Sequence, residues 1–157
     1  MPCSSFSVTD GNDFFVFLER AFSALAVDVP AAYGALCRSL DGLPVAIVVD
    51  GACRVLRASE GSHEFGPELT REITVRLTTS RNTIVEMLEA RRSLLEMVLA
   101  DEFSLVGKIQ DLVRLEEGMF AFVHGAARSR RIEGLLTAYL SGTSARPASR
   151  GRHEHAR

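Results

Sequence analysis

The spacing of apolar residues changes several times along this chain, and each change marks an element. In residues 13–27, "DFFVFLERAFSALAV", Phe14, Leu18, Ala21, Phe22 and Leu25 recur at helical intervals, with Asn12 or Asp13 placed to cap the start. Phe15 and Phe17 widen the stripe, which predicts a helix buried on more than one side, its phenylalanines packing the core or, alternatively, some of them lining a pocket. Pro30 suits the first turn of a second helix and Gly42 its end, and over residues 30–40 its face is Tyr33, Leu36, Cys37 and Leu40. From Val45 to Val49 the apolar run is continuous, as in a strand covered on both faces. Asp50-Gly51 predicts a two-residue hairpin turn, after which Cys53 and Val55 alternate with Arg54. Residues 59–68, "SEGSHEFGPE", read as a loop by composition. In "REITVRLT", residues 71–78, Ile73, Val75 and Leu77 face one way and the polar residues the other. These three strands predict an antiparallel meander.

Helical spacing then resumes. Ser80 suits an N-cap, Ile84, Val85 and Leu88 form an apolar face, and Arg91 and Arg92 stand near the negative end of the helix dipole. Leu94, Leu95, Val98 and Leu99 predict another short helix. In "ADEFSLVGKIQDLVRL", residues 100–115, Phe103 and Leu105 alternate with Ser104 before a glycine and a return to helical spacing. A sheet edge needs cover, so residues 103–106 are expected to pair as a further strand, with Gly107 permitting a sharp turn. Ile109, Leu112, Val113, Met119, Phe120 and Val123 predict the next helix, bent or interrupted at Glu116, Glu117 and Gly118. "RRIEGLLTAYL" predicts a last one through Ile132, Leu135, Leu136, Tyr139 and Leu140. The expected layout is a flexible N-terminus over 1–12, a single α+β domain over 13–141 and a disordered basic tail over 142–157.

Composition narrows the function classes. The 157 residues are 46% apolar and 24% charged, with a net charge of −2, so nucleic acid is not expected as a partner. The tail from Gly142 holds Arg146, Arg150, Arg152 and Arg157 against Glu154. Three scattered cysteines, Cys3, Cys37 and Cys53, suggest no disulfide framework and fit a cytoplasmic setting; Cys37 and Cys53 read as packing residues. No signal peptide and no apolar run long enough for a membrane span is seen. No nucleophile motif appears, and His153-Glu154-His155 lies in the tail, so no catalytic residue, metal site or cofactor is expected.

Residues 73–115, "ITVRLTTSRNTIVEMLEARRSLLEMVLADEFSLVGKIQDLVRL", with the upstream "VAIVVDGACRVLRA", resemble the sterol carrier protein 2 (SCP2) lipid-transfer family. The likeness is one of order: an alternating strand, a helix led by a hydroxyl residue, a second short helix, a short strand ending in glycine and a leucine-rich helix. It implies an SCP2-like α+β fold, a small antiparallel or mixed sheet of four to five strands covered by helices on one side. It also implies an apolar tunnel for lipids or other apolar small molecules. By that analogy the tunnel walls are expected to include Leu88, Leu95, Val98, Leu99, Phe103, Leu105, Leu112 and Leu115.

Three functions follow as expectations. The first is a non-catalytic binding or carrier protein. The second is an accessory subunit with a solid core, serving a partner enzyme or forming a homodimer, motivated by the C-terminal helix whose Leu135, Leu136 and Tyr139 need a surface to cover. The third is an isomerase or cyclase with an apolar pocket and a buried polar group, for which Tyr33 and His124 are the candidates.

Overall fold

The computed structural model describes residues 9–67, 73–89 and 91–144. The expected N-terminal segment, up to residue 8, the tail beyond 144 with its histidines, and the start of the alternating strand lie outside the described residues. Six helices and five strands follow one another: α1 (Thr9–Asp28), α2 (Pro30–Ser39), β1 (Val45–Val49), β2 (Ala52–Ser59), β3 (Ser62–Gly66), β4 (Val75–Thr79), α3 (Arg81–Leu88), α4 (Leu94–Leu99), β5 (Phe103–Val106), α5 (Ile109–Ala126) and α6 (Arg130–Ser144). The strands form one mixed sheet in the order β3-β2-β1-β4-β5.

Local chemistry accounts for most boundaries. Pro30 begins α2. Asp50 and Gly51 both have positive φ, 49° and 82°, and join β1 to β2 with Val49 opposite Ala52. The Ser80 hydroxyl caps α3 by accepting from the Thr83 N–H at 3.2 Å. Ser93 and Glu96 form a reciprocal capping box at the start of α4. Helix α5 is not interrupted: it runs unbroken through Glu116, Glu117 and Gly118.

Two expectations are corrected. Residues 62–66 are not loop but the edge strand β3, which pairs antiparallel with β2 after a turn at Gly61, φ 77°. The alternating strand β4 does not extend a meander; it pairs parallel with β1, Val45 beside Val75 and Val49 beside Thr79. The meander is therefore β1-β2-β3. Strand β5 does cover the β4 edge, antiparallel, with Leu77 opposite Leu105 and Thr79 opposite Phe103. Gly107 serves close approach rather than a turn of positive φ: a Cβ there would sit 3.1 Å from the Thr74 carbonyl oxygen and from Val75 Cγ2.

Strand register sorts the sheet into two faces. One face carries Val45, Ile47 and Val49, Leu56, Val75 and Leu77, and the helices pack over it. The other presents Glu64, Thr78, Ser104 and Val106 to solvent. Within the helical layer, Gly125 of α5 meets Leu25 and Ala32, and Gly118 meets Leu36 and Leu40. Arg114 of α5 donates to the carbonyls of Ser39 (3.1 Å) and Asp41, closing the end of α2. The last helix finds its surface inside the molecule. Tyr139 stacks on Phe17 of α1 with ring centroids 5.0 Å apart, and the Ser129 hydroxyl donates to Asp28 at 2.7 Å.

Candidate functional site

Between the helical layer and the covered face of the sheet lies a cavity of about 190 Å³. Its floor is Val45, Ile47 and Val49 of β1 with Leu56, Leu77 and Phe103 of the neighbouring strands. Helix α1 contributes Phe14, Phe17, Leu18 and Phe22, which is why that helix needs apolar residues around more of its circumference than a single stripe. Ile84, Met87 and Leu88 of α3 and Met119, Phe122 and Val123 of α5 complete the wall. Among the described lining residues only Thr79 has a polar side chain, and its hydroxyl donates to the Glu102 carbonyl at 3.2 Å. The wall therefore offers a guest apolar contact and almost no hydrogen bonding. Val123 lines the cavity and is also largely exposed.

The residues expected from sequence divide into three groups. Leu88, Phe103 and Leu115 line the cavity. Leu105 and Leu112 are half-buried and pack against the core without lining it. Val98 and Leu99 face outward, Leu99 with 76% of its surface exposed. Leu95 belongs to α4, but its side chain lies outside the described residues. Sequence reasoning weighed a pocket lined by the phenylalanines of α1 but ranked core packing above it, and it missed the floor of β1. The signal was present in Phe17, beyond the single stripe, and in the unbroken run 45–49, but a packed core gives the same pattern.

A second cluster sits at the β3 edge. His63 is ringed by Phe22, Tyr33 and Phe65, with ring centroids 5.2, 5.7 and 5.7 Å away. The Tyr33 hydroxyl and His63 Nδ1 share a hydrogen bond of 2.7 Å. Burial lowers the His63 pKa below its ordinary value, against the opposing pull of Glu19. Burial first, and then the Cys37 thiol, push Tyr33 up to about 12, so it stays a proton donor. The buried tyrosine weighed as a catalytic group is thus turned to His63 and is not a cavity-lining residue, and His124 is exposed.

Two open grooves flank α1 against α6. One is lined by Asp13, Arg20, Arg81 and Tyr139, the other by Val16, Ser23, Val27 and Leu135. Among the described residues no group of three or more His, Cys, Asp or Glu could hold a metal ion. No described helix is long and apolar enough to cross a membrane.

No protein-family model and no curated protein matches the chain. Solved structures do. A structure described as "UbiJ-SCP2 Ubiquinone synthesis protein" aligns with a TM-score of 0.52 at 16% identity, over 70% of this chain and 98% of that one. The sterol carrier protein domain 2 of Helicoverpa armigera aligns with a TM-score of 0.56 at 16% identity, over 77% of this chain and 96% of that one. The chain has the SCP2-like α+β fold that its residues 73–115 resemble.

Proposed function

We propose that this protein is a non-catalytic binding or carrier protein that holds an apolar small molecule in the cavity between α1, α3, α5 and the sheet. The observation that carries the reading is the cavity itself, walled by aliphatic and aromatic side chains around one already satisfied hydroxyl. The SCP2-like fold supports it. An apolar cavity of about 150 Å³ in another protein stays dry and admits benzene. By that measure this one encloses a guest of roughly six carbons, worth about 5 kcal/mol at about 0.8 kcal/mol per methylene. Micromolar binding needs about 8 kcal/mol. The balance comes from a longer chain that extends past Val123, which both lines the cavity and is exposed. Such a site selects for an apolar body and little else.

A fluorescent fatty acid titrated into the protein tests this. Met87 and Met119 line the cavity from opposite helices and are half-buried, so Met87→Trp and Met119→Trp fill it without replacing a fully buried core residue. Each is expected to weaken uptake by roughly tenfold or more at a folding cost of about 1–3 kcal/mol. Unchanged uptake in two folded variants refutes the reading.

The exposed face of α5 favours a second role, that of an accessory subunit beside a partner. The C-terminal helix, which first suggested such a role, gives it no support, because Tyr139 is buried against α1.

A further inference from the structure

Helix α5 has a second apolar face, turned away from α2. Ile109, Val113, Phe120 and Val123 are 80%, 46%, 57% and 58% exposed. With Glu116 and Ala127 they recur at intervals of four, three, four, three and four residues, the spacing of a coiled-coil seam. A surface helix that only covers its own core does not need a seam on its far side, and an exposed apolar patch of this kind marks an interaction site.

Charge selects the occupant. Glu116 stands within the seam and Glu117 beside it, both exposed. Arg114 is the only arginine or lysine of residues 109–127, and it is turned to the carbonyls of Ser39 and Asp41. The seam is therefore apolar with an acidic centre, and the exposed cations that flank it, Lys108 and Arg128, stand at its two ends, more than two helical turns from Glu116. We propose that this face docks a helix of a partner protein, one with an aliphatic heptad seam and a lysine or arginine opposite Glu116. A second copy of α5 would bring only the same two acids and leave them unmatched. An anionic bilayer would meet the same acids. A helix pairs the apolar positions and supplies the missing charge. The proposal is argued independently of the cavity reading, although a docked helix would lie over Val123, which also lines the cavity.

Two synthetic three-heptad helical peptides test it. They carry leucine along the seam and differ only in a central lysine or glutamate, and each is titrated against the full-length protein by fluorescence anisotropy. The lysine peptide is expected to bind roughly tenfold more tightly. Glu116→Lys, at an exposed position where circular dichroism verifies the fold, is expected to reverse the order, and Phe120→Ser to remove binding of both peptides. Equal binding of the two, binding of neither, or an order that Glu116→Lys leaves unchanged overturns the proposal. A dimer in sedimentation, or flotation with phosphatidylglycerol vesicles, overturns it too if Phe120→Ser abolishes either one, because the face then belongs to another occupant.

Discussion

Gly125→Ala reads out how closely α5 is held against the first two helices, and so how firmly one cavity wall is set. A Cβ at this position would lie 2.5 Å from Leu25 Cδ1 and 2.6 Å from Ala32 Cβ. Ala32 has no side-chain freedom, so the helices must separate. Contacts this short put the cost in the upper part of the range for overpacking, about 2–3 kcal/mol, and alanine returns about 1 kcal/mol through its better helix propensity. The expected net loss is about 1–2 kcal/mol, or about 2–8 °C in Tm at about 2–4 °C per kcal/mol for a chain of this length. Two internal controls share the propensity gain. At Gly118 a Cβ meets Leu40 at 3.2 Å, a contact that a leucine can relieve by a small shift, so Gly118→Ala is expected within about 1 kcal/mol of wild type. At Gly134 nothing lies within 4 Å, and Gly134→Ala is expected to stabilise by about 0.5–1 kcal/mol. Thermal unfolding followed by circular dichroism under one set of conditions gives the order. The packing argument fails if Gly125→Ala is as stable as wild type, or if Gly134→Ala is destabilised as much as Gly125→Ala.

Further outcomes follow from the buried polar groups. Burial holds the folded pKa of His63 below its unfolded value of about 6.5, so the unfolded chain takes the proton first. Stability is then full above about pH 6.5, falls as pH drops through that value, and levels off below the folded pKa, with a slope of at most about 1.4 kcal/mol per pH unit from this one proton. Denaturant unfolding between pH 8 and pH 5 is expected to show a shallower slope in His63→Phe than in wild type, and identical slopes would refute the assignment. Ser129 accepts from the Ile132 N–H at 3.2 Å and donates to Asp28, so it both caps α6 and ties it to α1. Ser129→Ala is expected to cost about 1–2 kcal/mol and to speed amide exchange at Ile132, whereas unchanged exchange there would rule out the cap.

The sequence made local structure legible where local chemistry decides it. Pro30, Asp50-Gly51, Ser80 and the 103–106 alternation each placed an element within a few residues of where it lies. Strand β3 was hidden because "SHEFG" is short, polar on one face and closed by glycine. It is held by pairing with β2 and by the packing of His63 and Phe65 against Phe22, which are long-range facts. The parallel pairing of β4 with β1 was hidden for a similar reason: alternation fixes which side chains share a face but not which strand lies alongside. Of the wall residues that the family resemblance implied, Leu88, Phe103 and Leu115 line the cavity, because helical and strand periodicity points them inward. Leu99 was drawn from the same α4 pattern, yet that six-residue helix turns it to solvent while burying Met97. Whether inward-facing leucines close on one another or leave a gap depends on helix separations that no periodicity records. In α5 the sequence grouped Ile109, Val113, Phe120 and Val123 with Leu112 and Met119 as one apolar set, and only exposure separates the outward four from the core stripe.

The central claim is that the cavity holds an apolar molecule, and native mass spectrometry of freshly purified protein, followed by solvent extraction of what is bound, tests it most directly. The account predicts one apolar small molecule at near-stoichiometric occupancy, or an empty protein that takes up a fluorescent fatty acid and loses that uptake in Met87→Trp. An empty protein that takes up no apolar probe contradicts it.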